Sequence, residues 1–129
     1  MDQTTLNAIA EAISRDRRII AAYLLGSAAQ GRMREDSDID IAVIPFASAT
    51  ISASDLAALA AEITLIAGRT ADIGVISSSN LVYARQAILT GESLMCKDEA
   101  RRDHITANLL GLYAQFHFER REVLDAYFG

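Results

Sequence analysis

The chain contains no tryptophan, a single cysteine (Cys96), a single proline (Pro45) and only 6% aromatic residues in 129. A lone cysteine excludes an intramolecular disulfide framework and agrees with a reducing compartment. No base is identifiable near Cys96, which argues against a nucleophilic role. Basic charge is also in short supply: 12 Lys and Arg against 17 Asp and Glu give a formal net charge of -5 and a pI near 4.9. Long nucleic acid is therefore not expected on a basic face. No apolar run approaches the about 18 residues of a membrane span. The start, Met1-Asp2-Gln3-Thr4-Thr5, lacks the basic and apolar regions of a secretion signal, so a cytoplasmic location is expected. Internal repeats, low-complexity tracts and linkers are missing too. A chain of 129 residues, 51% hydrophobic, suits one core and is short for two, so residues 1–129 are expected to form a single domain.

What is present is an alternation of helical and strand patterns. Leu6, Ile9, Ala10 and Ile13 recur as a helical stripe. Leu56, Leu59, Ala60, Ile63 and Ala67 do so again behind the cap signals Ser52 and Ser54. Leu81, Ala84 and Ile88 predict a third helix from about Asn80 to Thr90, with Gly91 as its C-cap. Between them, 18–25, 39–44 and 70–76 are short apolar runs bounded by charge, glycine or proline, as strands are, and Pro45 ends the second. The expected class is α/β, a small mixed β-sheet flanked by helices.

The segment with most chemical content is YLLGSAAQGRMREDSDIDIAV, Tyr23 to Val43. Gly26 allows the backbone to approach a ligand, Ser27 offers a hydroxyl, and Ala28-Ala29-Gln30 can open a helix whose free N–H groups face an anion. After ten intervening residues, 28–37, comes Asp38-Ile39-Asp40. Side chains alternate along a strand, so Asp38, Asp40, Ala42 and Ile44 share one face. Two carboxylates about 7 Å apart on one face repel each other and call for a cation. Hard oxygen donors favour magnesium or manganese over zinc. Asp72 opens the next strand and joins the pair if that strand lies beside the second. Three carboxylates around two metal ions suit an in-line displacement at phosphorus, with Asp72 placed to take a proton from the entering hydroxyl. Each element has a bland counterpart: Gly-Ser as a plain turn, Asp-x-Asp as a solvated strand end, Asp72 as a turn cap, Arg32 and Arg34 as an exposed charged loop. Their combination at this interval favours the metal site.

At these residues the chain resembles the minimal nucleotidyltransferase (MNT) family of the DNA polymerase β-like nucleotidyltransferase superfamily. Gly26-Ser27, the ten-residue interval, Asp38-x-Asp40 and Gly31 carry the resemblance, and Asp72, Ala87-Ile88-Leu89-Thr90-Gly91 and the helix after Lys97-Asp98 extend it along nearly the whole chain. The resemblance implies the polymerase β-like fold with a long C-terminal helix. It implies an antitoxin that pairs with a HEPN-domain ribonuclease toxin and transfers AMP from ATP to a hydroxyl of that toxin, most simply a tyrosine. Gly26 and Ser27 would hold the nucleotide; Asp38, Asp40 and Asp72 would bind Mg²⁺, two ions, and drive the transfer. Nucleotidyl transfer to a small molecule of the aminoglycoside type, and neutralisation of the toxin by occlusion without catalysis, are the alternatives. The first lacks a second domain to bind its substrate, and intact acids weigh against the second. HEPN ribonucleases carry Arg four to six residues before His, and neither His104 nor His117 follows an arginine at that interval; the chain does not resemble the nuclease.

The predicted last helix, about 98–128, has more apolar surface than one small domain can use. Ile105, Leu109, Leu112, Phe116 and Val123 form one stripe, with Leu110, Tyr113, Leu124 and Phe128 beside it. Together they make an arc of roughly 160°, against roughly 100° for a surface helix. Either the helix is buried in its own domain with a kink at Gly111, or it offers a partner-binding face, with Tyr113 and Phe116 foremost and Phe118, Tyr127 and Phe128 as further aromatic anchors. A hetero-oligomer with the toxin is expected.

Overall fold

The apolar run Ile19–Leu25 forms strand β1 and is buried over nearly its whole length, because it lies inside a sheet covered on both faces. The computed structural model describes residues 1–26, 38–46 and 49–128. Among these, β1 pairs antiparallel with β2 (Ile39–Pro45) on one side and with β4 (Glu92–Cys96) on the other. β3 (Ala71–Val75) pairs parallel with β2, giving a mixed sheet in the order β3-β2-β1-β4. The predicted small mixed sheet is thus present, and β3 lies beside β2 as the site requires.

Helices α1 (Gln3–Ser14) and α2 (Ala53–Ala67) close one face. Asp2 caps α1, its Oδ1 accepting from the Thr5 N–H at 2.8 Å. Ser52 and Asp55 form the reciprocal capping box of α2, which ends at Gly68 in the left-handed conformation, φ 69°. Ile9, Ile13, Leu59 and Ile63 pack there onto Ile39, Ile41, Val43 and Ile73. Each fully buried branched side chain of this kind contributes about 1.5–3 kcal/mol. The other face carries α3 (Leu81–Thr90), which follows a short 3₁₀ turn, Ser78–Asn80, and the long α4 (Glu99–Phe128). Here Ala84, Ala87 and Leu109 meet Ile20, Ala21, Ala42, Ile44 and Ile76.

Three details differ from the sequence reading. β4 is an additional strand that the sequence does not announce. Gly91 does follow α3, its N–H reaching the Ala87 carbonyl at 2.9 Å, but its φ of -74° is not a left-handed cap. Glycine is needed there for closeness: a Cβ would stand 2.9 Å from both Leu25 Cδ2 and Tyr23 Cβ. Finally, α4 is one continuous helix through Gly111, so no break folds its second half back onto the domain. The side chain of Asp98 caps its start, accepting from the Arg101 N–H at 3.0 Å.

Candidate active site

Three strand ends meet at one corner of the sheet. Leu25 at the end of β1 is opposite Asp40 of β2, and Asp40 is in register with Asp72 of β3. Adjacent strands lie about 4.8 Å apart. Alternation then places Asp40, Ala42 and Ile44 on the face shared with α3, alongside Asp72 and Gly74. Ala42 and Ile44 are buried, whereas Asp40 and Asp72 are exposed because the cover stops short of them. A cavity of about 360 Å³ remains between the acids and α3, lined by Leu25, Gly26, Asp40, Ile41, Asp72 and Gly74 from the sheet side. Tyr83, Gln86, Ala87 and Thr90 line it from α3. The 83, 86, 87, 90 spacing is a single helical face.

Gly26 has φ 66°, and a Cβ built on it would be 3.7 Å from Asp40 Oδ2. The turn that ends β1 is therefore left-handed, open to glycine and directly beside the acids. Asp38 precedes β2 and is exposed; its charge acts on Asp40. Ser27 lies outside the described residues, as do Gly31, Arg32, Arg34 and the helix start expected at 28–30.

The electrostatics of the corner are those of uncompensated negative charge. Burial, then Asp72, then Asp38 push the Asp40 carboxyl above its ordinary 3.8. Burial followed by Asp40 and Asp72 likewise raises the Tyr83 phenol above 10.0, so it stays protonated at neutral pH. An all-oxygen donor set that crowds like charges is of the kind a divalent hard cation relieves; Asp40 and Asp72 stand in register and the charge of Asp38 reaches Asp40, so the three acids match such an ion in chemistry. Among the described residues, no group of three His, Cys, Asp or Glu is gathered closely enough to hold a metal by itself.

Sequence reasoning missed the contribution of α3. Tyr83 sits against Gly74, where a Cβ would collide with the phenol hydroxyl, so the glycine in β3 makes room for the tyrosine. A glycine in mid-strand two residues after the acid, Gly74 after Asp72, was the available signal for such a close approach. Gln86 and Thr90 are joined, the Thr90 hydroxyl donating to the Gln86 carbonyl at 2.6 Å.

The two predicted partner residues on α4 line different hollows. Tyr113 is partly buried beneath the Arg85 guanidinium, 5.0 Å from its ring centroid, and stacks on His117 at 6.0 Å. Phe116 is 48% exposed and lines a second hollow, about 690 Å³, beside Tyr83 and Gln86. Among the described residues Leu109 is the last buried one of the helix; Leu112, Phe118, Val123, Leu124 and Tyr127 are all exposed.

A family model described as polymerase beta, nucleotidyltransferase matches residues 7–100, the span that contains every acid of the corner and all of α3. None of the curated proteins matches the chain. Solved structures do. A chain of a toxin–antitoxin crystallised with AMP-PNP superposes with a TM-score of 0.78 at 20% identity, 100% of each chain covered. A chain of the toxin–antitoxin MntA–HepT gives 0.76 at 20% identity, covering 99% of this chain and 100% of that one. A chain of the complex of tri-AMPylated Shewanella oneidensis HEPN toxin with MNT antitoxin gives 0.76 at 21%, with 100% of each covered. At such identities the likeness is one of fold, and it includes α4, which lies almost wholly beyond the family match.

Proposed function

We propose that this chain, which belongs to the polymerase beta nucleotidyltransferase family, is an antitoxin that transfers AMP from ATP to a hydroxyl of a HEPN ribonuclease toxin, most simply a tyrosine. The observation that carries the reading is the in-register pair Asp40 and Asp72 at a cavity bounded on its other side by the left-handed Gly26 turn. Structures with the same fold come from toxin–antitoxin complexes, one crystallised with AMP-PNP and one with an AMPylated toxin.

In this reading Gly26 and Ser27 grip the triphosphate. Asp38, Asp40 and Asp72 hold Mg²⁺, two ions, which when bound neutralise the charge of the phosphate oxygens at the reacting phosphorus. Asp72 receives the proton of the acceptor hydroxyl. The acceptor oxygen bonds to the α-phosphorus as the bond from that phosphorus to the bridging oxygen breaks, and pyrophosphate departs. Tyr83, held protonated, offers a hydrogen-bond donor on the wall facing the acids. The exposed half of α4, with Tyr113 and Phe116, is the docking element for the toxin, so the working species is a cytoplasmic hetero-oligomer and residues 1–129 act as one domain.

Two labels distinguish this chemistry from phosphoryl transfer. Incubation with Mg²⁺, the HEPN partner and ATP labelled at the α- or the γ-phosphate is expected to label the partner from the α position alone. Label from the γ position, or label only in small molecules, would refute AMP transfer to protein. Occlusion is the second reading, favoured by the absence of a pre-gathered trio of ligands among the described residues. It requires full neutralisation by a variant that transfers nothing.

A further inference from the structure

Resting on the transfer reaction proposed above, we infer that the hollow between the start of α3 and Phe116 is the acceptor subsite, occupied by the segment of the acceptor protein that presents its aromatic hydroxyl. The sheet order sets the direction. Gly26 follows β1, Asp40 stands in β2, Asp72 and Gly74 in β3, and β3 is one of the two edge strands, the one on the far side of β2 from β1. Helix α3 crosses this row. It starts from the turn that follows β3, and Gly91, just after its end, lies against Leu25 and Tyr23 of β1. The hollow opens on the β3 flank, lined by the polar Ser78–Asn80 turn and by Leu81, Val82 and Phe116, and it shares Tyr83 and Gln86 with the acid cavity.

An in-line displacement fixes which group occupies which flank. With the triphosphate gripped at Gly26, pyrophosphate leaves on the β1 side, and the entering oxygen must come from the opposite side of the α-phosphorus. That side is the β3 flank. The nucleoside, attached laterally to the same phosphorus, has no such requirement. The chemistry of the hollow agrees: Val82 is 65% exposed and Phe116 48%, apolar surface suited to the ring of a phenol whose hydroxyl reaches past Tyr83 toward Asp72. Large exposed apolar side chains that frame an open hollow beside a polar cavity fit an amphipathic aromatic group better than a charged one.

The test substitutes the two rim residues, Val82→Asp and Phe116→Ala, singly and together, with ATP, Mg²⁺ and the HEPN partner as reactants. Both side chains are exposed, so melting temperatures are expected to stay near that of the parent. The double variant should raise KM for the partner about tenfold or more, with KM for ATP, and the dissociation constant for ATP measured by equilibrium dialysis, within about twofold. Val82→Asp, which lies off α4, should do so alone, and Phe116→Leu should restore most of the loss. A rise confined to ATP would place the nucleoside in the hollow and overturn the inference. So would unchanged kinetics, or a change in the oligomeric state of the chain alone, which would make the hollow a self-contact. Unchanged kinetics in an enzyme that still modifies its partner removes this inference only; a parent protein that modifies nothing removes the transfer reaction and the subsite with it.

Discussion

On the sheet face covered by α1 and α2, the strands present Ile39, Ile41, Val43 and Ile73 and every one is buried; on the face covered by α3 and α4 the same strands present Asp40, Ala42, Asp72 and Gly74. Bulk on the first face fills the interior and leaves no room for polar groups. Small residues on the second, Ala42 and Gly74 in the sheet with Ala84 and Ala87 in α3, let the helix come close over the middle of the sheet and leave the corner open. A sheet with one sealed face can tolerate crowded carboxylates on the other, because the fold's apolar stabilisation does not depend on that corner. A similar contrast divides α4, whose first half reaches the core at Leu109 while its second half has no buried side chain among the described residues.

The sharpest way to break this contrast is Asp40→Asn with Asp72→Asn. Transfer is expected to fall by about a thousandfold or more, on the order of 4 kcal/mol of transition-state stabilisation. Stability should hold or rise: the Asp40 carboxyl has its pKa raised in the fold, so the folded state disfavours its charged form and neutralisation removes a cost. A rate within tenfold of the parent would detach the corner from the chemistry. Ile63→Ala on the sealed face should do the converse, costing about 2–5 kcal/mol in denaturant unfolding while kcat and KM of the folded protein stay as they were. If kcat fell per folded molecule, the two faces would not be independent.

Gly74→Ala probes the seam between them. A Cβ there meets the Tyr83 hydroxyl, and about 1–3 kcal/mol of stability should be lost, then largely regained on adding Tyr83→Ala. A single variant as stable as the parent would show that Tyr83 does not rest on Gly74. Phe116→Asp on the bare half of α4 should weaken the proposed complex with a HEPN toxin by about tenfold or more, roughly 1.4 kcal/mol, with unfolding free energy within about 0.5 kcal/mol of the parent. The smallest effect belongs to the ion pair at the edge of the sealed side, where the Arg18 guanidinium bonds Asp16 Oδ2 at 2.7 Å and Asp55 Oδ2 at 2.6 Å. The hydrogen bond from Arg18 holds the Asp16 carboxyl below its ordinary 3.8. The folded state therefore binds that proton less readily than the unfolded chain. Its contribution is present in full above about pH 3.8 and fades as pH falls through the lower folded value. Arg18→Ala should flatten the acid limb of a stability–pH curve in that window, and an unchanged limb would count against the pair.

Much of this architecture can be read in the chain because the signals are local. Apolar runs closed by Gly26 and Pro45 mark β1 and β2, the stripe behind Ser52 marks α2, and the excess apolar arc of 98–128 anticipates a helix with bare surface beyond Leu109. β4 escapes because Glu-Ser-Leu-Met-Cys has exposed residues at its start and becomes a strand only by pairing with β1. The wall formed by Tyr83 and Gln86 escapes for a related reason: a tertiary crossing of α3 over the strand ends creates it, and periodicity reports which residues share a helix face without saying what that face meets. The Asp40–Asp72 register was conditional on strand pairing and is met. The role of Ser27 still rests on the motif.

The most direct measurement is the intact mass of the proposed HEPN partner purified from cells that also make this protein or its Asp40→Asn, Asp72→Asn variant. The account predicts a partner heavier by one or more AMP units with the parent and of unmodified mass with the variant. A partner of unmodified mass beside the active parent, in cells that nonetheless survive the toxin, would contradict it.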